Sequence, residues 1–214
     1  MTWRPDKAGK VLPPPKERIL RARDIDLLPF RLEYVDETYH GWLNDGEIVK
    51  YLEAQFVDRS MTALRDYIQS VEQNPNRSFY LVVHRESGRR VGTGSLAVNL
   101  LHGTATWGNL IGDRGIRCEG ISVQVLVAMF DLAFDELGVR RIYGGPYAGN
   151  VGAQFNLRRL GFVKEGVFRK HYRKAPGSDE FSDLVYYGLL AEEWRAIRGR
   201  LDPFRYAADG GSGI

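Results

Sequence analysis

The stretch GIRCEGIS, residues 115–122, spaces two glycines and a hydroxyl as in the triphosphate-binding pattern G-x-x-x-x-G-K-S/T, but Ile121 stands where that pattern has lysine. The lysine supplies the charge that meets β- and γ-phosphates, and isoleucine cannot. No later apolar strand ends in an aspartate suited to magnesium. A second glycine pair, Gly92-Thr93-Gly94, lies inside a strand pattern with no third glycine and no helix after it. It reads as relief of crowding in a sheet rather than as a dinucleotide turn. What the 115–122 stretch does offer is a loop that opens a long apolar helix pattern, with an arginine at 117. Such a helix start has N–H groups lacking intrahelical acceptors and a partial positive charge. Together with the arginine it suits a phosphate group.

Other chemistry-bearing residues are sparse. His40 and His84 have no carboxylate or histidine at metal spacing, His102 occupies a turn and His171 a strand pattern, so no metal is expected. The lone cysteine, Cys118, excludes an intrachain disulfide and points to a reducing, cytoplasmic compartment. A net charge of +3 and a pI near 9.0 fall short of a nucleic-acid footprint but suit a polyanionic cofactor. The chain has no apolar run of the ~20 residues a membrane span needs, and its basic start has no apolar stretch to serve as a signal peptide.

At 214 residues, 43% hydrophobic and 27% charged, the chain suits one globular domain. Residues 1–17, with three consecutive prolines, read as a flexible arm, 18–200 as the domain, and 201–214 as a glycine-rich tail. A strand is expected over 24–29, followed by a helix capped by Asp36 with Tyr39, Trp42 and Leu43 on one face. Two more helices are expected, over 47–52 and, after Ser60, over TALRDYIQSVEQ. SFYLVVHR, RRVGTGSLAVNLL and TATWGNLIGD, separated by ESG and LHG turns, read as three antiparallel strands. A helix over 119–137 comes next, stopped by Gly138. The remainder alternates strand, short helix, strand, strand and helix. The sum is an α/β domain with a mixed, mostly antiparallel sheet of about six to seven strands flanked by helices.

In a shorter frame, Arg117-x-x-Gly120-x-Ser122 resembles the Q/R-x-x-G-x-G/A loop of the GCN5-related N-acetyltransferase (GNAT) superfamily. There the loop joins the fourth strand to the long central helix and binds the coenzyme A pyrophosphate. Asn150 through Phe162, NVGAQFNLRRLGF, resembles that family's segment with asparagine first, a small residue three later and Gly-Phe at the end. EGVFR, Asp183 and YYGLLAEEW extend the likeness. HGWLNDGEIVKYL looks like the opening of bacterial branches related to ribosomal-protein and amino-sugar acetyltransferases. The likeness runs from about Asp24 to Trp194. Cys118, Glu119 and Ser122 depart from the usual loop.

The resemblance implies acetyl transfer from acetyl-CoA, as co-substrate, to an amine in a ternary complex. Asn109, Leu110 and Ile111 would hold the pantetheine arm and polarise the thioester. The loop residues Arg117, Cys118, Glu119, Gly120, Ile121 and Ser122 would take the pyrophosphate. Asn150 and Arg158 would also contact the cofactor, and Tyr147 and Asn150 are the candidate catalytic residues. Trp42, Asn44, Asp45 and Tyr172 are candidate substrate contacts. Two usual helpers are missing: the general-base glutamate position holds Thr106, and the acid tyrosine position holds Leu157. An amine of pKa about 10.4 is ~0.04% neutral at pH 7 and one near 8 is ~10% neutral, so a site without a carboxylate base suits the weaker amine. The leading expectation is therefore a small-molecule acceptor, a nucleotide-linked amino sugar. The alternatives are a protein α-amine, as in ribosomal-protein acetyltransferases, and an acyl-CoA-binding protein without turnover. No nucleic acid or membrane partner is expected, and a homodimer is compatible with the sequence.

Overall fold

The alternating strand patterns form one sheet of eight strands in a computed structural model that describes residues 10–116 and 120–207. In chain order they are β1 (Leu20–Arg21), β2 (Ile25–Pro29), β3 (Arg77–His84), β4 (Arg90–Asn99), β5 (Thr104–Ile111), β6 (Arg141–Gly144), β7 (Val163–Arg173) and β8 (Phe181–Leu190). Their spatial order is β1-β2-β3-β4-β5-β6-β8-β7. The pair β5–β6 is parallel and the other neighbours are antiparallel, so the sheet is mixed as expected. The strand count exceeds the expected six to seven, and β1 is the strand beyond that expectation. Two residues are too few to show an alternating pattern.

Each face of the sheet buries its own core. On one face lie α1 (Glu37–Asn44), α2 (Gly46–Val49) and α3 (Met61–Gln73). Asp36 starts α1 by accepting from the N–H groups of Thr38 and Tyr39, and Ser60 starts α3 by accepting from that of Ala63. Their apolar stripes, including Tyr39, Trp42, Leu64 and Ile68, pack on Leu81 and Leu110 of the sheet. On the other face α4 (Ile121–Asp131) is apolar all round and buried along its length. Burying one of its larger side chains, such as Phe130, contributes about 1.5–3 kcal/mol. Its one buried polar side chain, Gln124, is satisfied by Asp24: the amide donates to the carboxylate at 2.7 Å and accepts from the Asp24 N–H at 2.8 Å. The helix expected over 119–137 continues past Asp131 as a single π-helical turn, Leu132–Glu136. Then come α5 (Val151–Arg159) and α6 (Ala191–Ile197).

Both chain-end segments contribute contacts where they are described. Within the 1–17 arm, the Leu12 N–H donates to Leu137 O, and the Lys16 ammonium donates to the carbonyls of Val71, Asn74 and Arg77 at the end of α3. Within the 201–214 tail, Leu201 and Phe204 are buried, and the Arg205 guanidinium binds Asp131 on α4.

Gly92 and Gly94 relieve two different crowdings in β4. A Cβ on Gly92 would overlap the backbone oxygen of Leu110 on β5, whereas one on Gly94 would meet Val125 Cγ1 at 3.0 Å and Met129 Sδ at 3.1 Å on α4. Gly92→Ala must push neighbouring backbones away from each other, and overpacking of this kind costs about 1–3 kcal/mol. Urea denaturation is expected to show that loss for Gly92→Ala and a smaller one for Gly94→Ala, where a flexible methionine can yield. Equal effects would contradict the distinction.

The buried phenols of Tyr39 and Tyr80 set an alkaline limit. Burial raises both above their usual values. A raised folded value means the stabilising contribution is complete below the unfolded pKa of about 10 and is lost as pH rises through the folded values. Phenolate absorbance at 295 nm is expected to show these two tyrosines ionising only together with loss of the folded circular-dichroism signal. Their ionisation in the folded state near pH 10 would contradict this.

Candidate active site

Strands β5 and β6 pair at Thr104↔Arg141 and Ala105↔Ile142, and then diverge. Strand β6 follows β8 instead, from Arg141↔Leu190 to Gly144↔Tyr187. Trp107 braces the gap on the α4 side. Its ring lies over Gly144, stands edge-on to Phe130 at 5.6 Å and packs on Phe162 at 5.1 Å. A cleft of about 530 Å³ opens here, walled by Thr106 to Asn109, the start of α4, residues 144–146 and Asn150.

Alternation along β5 divides its side chains between the two faces. Ala105, Trp107 and Ile111 pack into the α4 core, and Leu110 into the α1–α3 core. Asn109 follows the first set. Its Nδ2 donates to Ser122 Oγ at 2.7 Å and to Ser122 O at 3.3 Å, which ties the first turn of α4 to β5. Asn109 Oδ1 is buried and has no hydrogen-bond partner. Gly120 caps α4 with φ 73°, a left-handed conformation that glycine adopts without the Cβ clash of other residues. Ile121 is fully buried in the α4 core and does not line the cleft, whereas Ser122 does. Arg117, Cys118 and Glu119 lie outside the described residues.

A second cavity, of about 580 Å³, lies on the α1–α3 side of β5 and shares Leu52, Gly108 and Asn109 with the cleft. Its walls come from α1, α3 and β3–β5, and Glu53 lines it beside the shared Leu52. The Tyr147 hydroxyl donates to Glu53 Oε1 at 2.8 Å. Tyr147 is buried and stacks on Tyr172, with centroids 4.5 Å apart. Burial, and then the hydrogen bond and charge of Glu53, push the Tyr147 phenol well above its usual value, so it stays protonated and remains a donor. Burial followed by the Glu53 charge also raises Tyr172.

The other expected site residues are scattered. Asn150 lines the cleft, but its side chain caps α5, accepting from the Ala153 N–H at 3.1 Å. Leu157 lines the cleft and Thr106 is half-buried at its edge, so neither usual helper position supplies a proton-transfer group. Leu110 turns its side chain into the α1–α3 core, and only its backbone is available to a cofactor. Trp42 is buried in the same core, with a ring so close to Gly112 that no Cβ would fit there. Asn44 donates to His40 O, and Asp45 caps α2 by accepting from the Glu47 N–H. The Arg114 guanidinium beside Asp45 holds its carboxyl below the usual range. Neither Asn44 nor Asp45 lines either cavity. Arg158 is exposed in the last turn of α5 and lines neither cavity. Glu53 was not among the expected residues. Among the described residues no group of three or more His, Cys, Asp or Glu could hold a metal ion, and no helix is long and apolar enough to cross a membrane.

Comparisons with known proteins agree with this arrangement. The family model described as an acetyltransferase (GNAT) domain matches residues 24–163. Two proteins of Bacillus subtilis (strain 168) are similar at 28% identity: the uncharacterized N-acetyltransferase YnaD over 76 residues and the probable N-acetyltransferase YjcK over 120. Those matches cover 36% and 55% of this chain, and 43% and 65% of the relatives' own lengths. Among solved structures, RimL, a ribosomal L7/L12 alpha-N-protein acetyltransferase in complex with coenzyme A, shares the fold. Its TM-score is 0.71 at 19% identity, over 81% of this chain and 98% of that one. A family model spanning most of the chain, on a mixed sheet whose strands diverge above the start of a buried helix, shows that this chain belongs to the GNAT acetyltransferase family.

Proposed function

We propose that this chain transfers the acetyl group of acetyl-CoA to a primary amine of a small molecule, with both substrates bound at once. The observation that carries the reading is the junction at Gly108 and Asn109, where the cavity on the α1–α3 side of β5 meets the cleft at the divergence of two strands. A thioester entering from one side and an amine from the other would meet there, and such positioning alone supplies much of a rate enhancement.

The residues present fit coenzyme A. Asn109 Oδ1 is a buried acceptor without a partner, which a pantetheine amide N–H would satisfy. The first turn of α4, from Gly120 to Ser122, together with Arg117, would hold the diphosphate. Cys118 and Glu119 complete that loop in the sequence. When bound, acetyl-CoA supplies an activated acyl carbon and a thiol leaving group.

Glu53 receives a proton from the acceptor's ammonium, and Tyr147 holds that carboxylate in place by donating to it. This alters the expectation drawn from Thr106. A carboxylate is present, delivered from a different element, so strongly basic amines are no longer disfavoured. It also removes the main ground for a binding protein without turnover. A nucleotide-linked amino sugar is not supported, because the walls of the acceptor-side cavity are mostly aliphatic and aromatic. The fold shared with RimL keeps a protein α-amine as the second reading.

Thiol release from acetyl-CoA in the presence of amines tests the proposal. For Glu53→Gln, kcat/KM is expected to fall by about 10²–10⁴-fold. Calorimetric binding of coenzyme A is expected to stay unchanged. An undiminished rate would remove Glu53 from the mechanism, and an absence of both heat and thiol release would remove the function.

A further inference from the structure

We infer that the acceptor is a primary amine carried on a bulky apolar body, an aryl or branched alkyl group, rather than on a polyhydroxylated or polycationic one. This rests on the acetyl-transfer reading above and concerns the second cavity alone. Leu43, Ala63, Leu64, Phe79 and Leu110, from four different elements, present apolar surface to it. The two other charged residues at its wall are already engaged. Arg59 donates to Leu43 O at 2.8 Å, and Asp58 accepts from the Ser60 N–H at 2.8 Å and the Ser60 hydroxyl at 3.0 Å. Those bonds hold the Asp58 carboxyl below its usual range.

Among the described residues neither Glu53 nor Asp58 enters an ion pair; the Glu53 carboxylate accepts from the Tyr147 hydroxyl, whereas that of Asp58 is tied to Ser60. Glu53 stands beside Leu52, where the cavity opens into the cleft. A carboxylate at the mouth and a mostly apolar interior behind it describe a ligand with a cationic head and a hydrophobic body. A second ammonium, as on a polyamine, would find Asp58 already bonded to Ser60, and sugar hydroxyls would find Thr93, Ser95 and Asn109 set in a wall that is otherwise mostly aliphatic and aromatic. Unpaired buried polar groups on a ligand are costly.

The reaction balances with the groups present. The bound ammonium gives one proton to Glu53, and the neutral nitrogen forms its bond to the acyl carbon. The carbon–sulfur bond breaks with its electron pair on sulfur, and the nitrogen's second proton goes to that sulfur. The products are the acetamide and free thiol, and Glu53 returns its proton to water.

The test is an acceptor panel assayed by thiol release: 2-phenylethylamine and 3-methylbutylamine against ethylamine, spermidine, a UDP-amino sugar and a short peptide with an apolar first residue. The two apolar amines are expected to exceed ethylamine by at least about tenfold in kcat/KM, at the low end of what a single methylene gains in a fitted pocket. Ala63→Phe and Ala54→Phe, which fill the cavity from two sides, are expected to raise KM for the bulky amines tenfold or more. The heat of coenzyme A binding should stay close to the parent's. Calorimetry of 2-phenylethylamine with the coenzyme A-loaded protein reads binding without turnover. Preference for the sugar, for spermidine or for the peptide overturns the apolar small-amine assignment while leaving acetyl transfer standing. Coenzyme A binding with no thiol release from any amine overturns acetyl transfer, and this assignment with it.

Discussion

The divergence of β5 from β6 after two residue pairs is the constraint on which the rest of the molecule depends. A continuous parallel ladder would close the sheet and leave neither a cleft nor a passage from one face to the other. The gap persists because each strand has another partner. Strand β5 is paired along its length with β4, from Asn99↔Thr104 to Gly92↔Ile111, and β6 is paired with β8. Trp107 then fills the α4 side of the opening with an apolar ring.

The helix that starts beneath this gap is held there by polar as well as apolar contacts. Asn109 ties its first turn to β5, Asp24 satisfies Gln124 in its middle, and Arg205 binds Asp131 at its end. Position matters because the field of a helix terminus falls off within about one turn. On the far side of the gap, Tyr147 donates to Glu53, the contact on which the proposed proton transfer rests. Deprotonating an amine of pKa about 10.4 at pH 7 requires about 4.6 kcal/mol, at 1.36 kcal/mol per pKa unit. In the proposed transfer Glu53, oriented by a phenol that stays protonated, would give that proton a destination.

Much of the architecture is legible in the sequence, because local signals carry it. Asp36 and Ser60 are helix caps as their residue types suggest, and the ESG and LHG turns do separate three antiparallel strands. The helix opening after Gly120 follows from an unbroken apolar run. The π turn at 132–136 leaves no mark in the apolar pattern, since one extra residue keeps Phe134 and Leu137 buried. The site is less legible. Thr106 and Leu157 are residue types that cannot act as base and acid, and the carboxylate bonded to Tyr147 belongs to Glu53, 94 residues away in the chain. No spacing rule links those two positions; the contacts of Tyr51 and Glu53 with Tyr147, just beyond β6, do. A resemblance in sequence draws Trp42, Asn44 and Asp45 toward the site, yet their side chains serve core packing, a helix end and a helix cap.

A crystal structure of the coenzyme A complex tests the central claim most directly. The account predicts the diphosphate on the N–H groups at the start of α4, the pantetheine arm between β5 and β6 beside Asn109, and the thiol at the Gly108–Asn109 junction. Coenzyme A bound elsewhere, with Trp107 closing the gap and the first-turn N–H groups bonded within the protein, would contradict it.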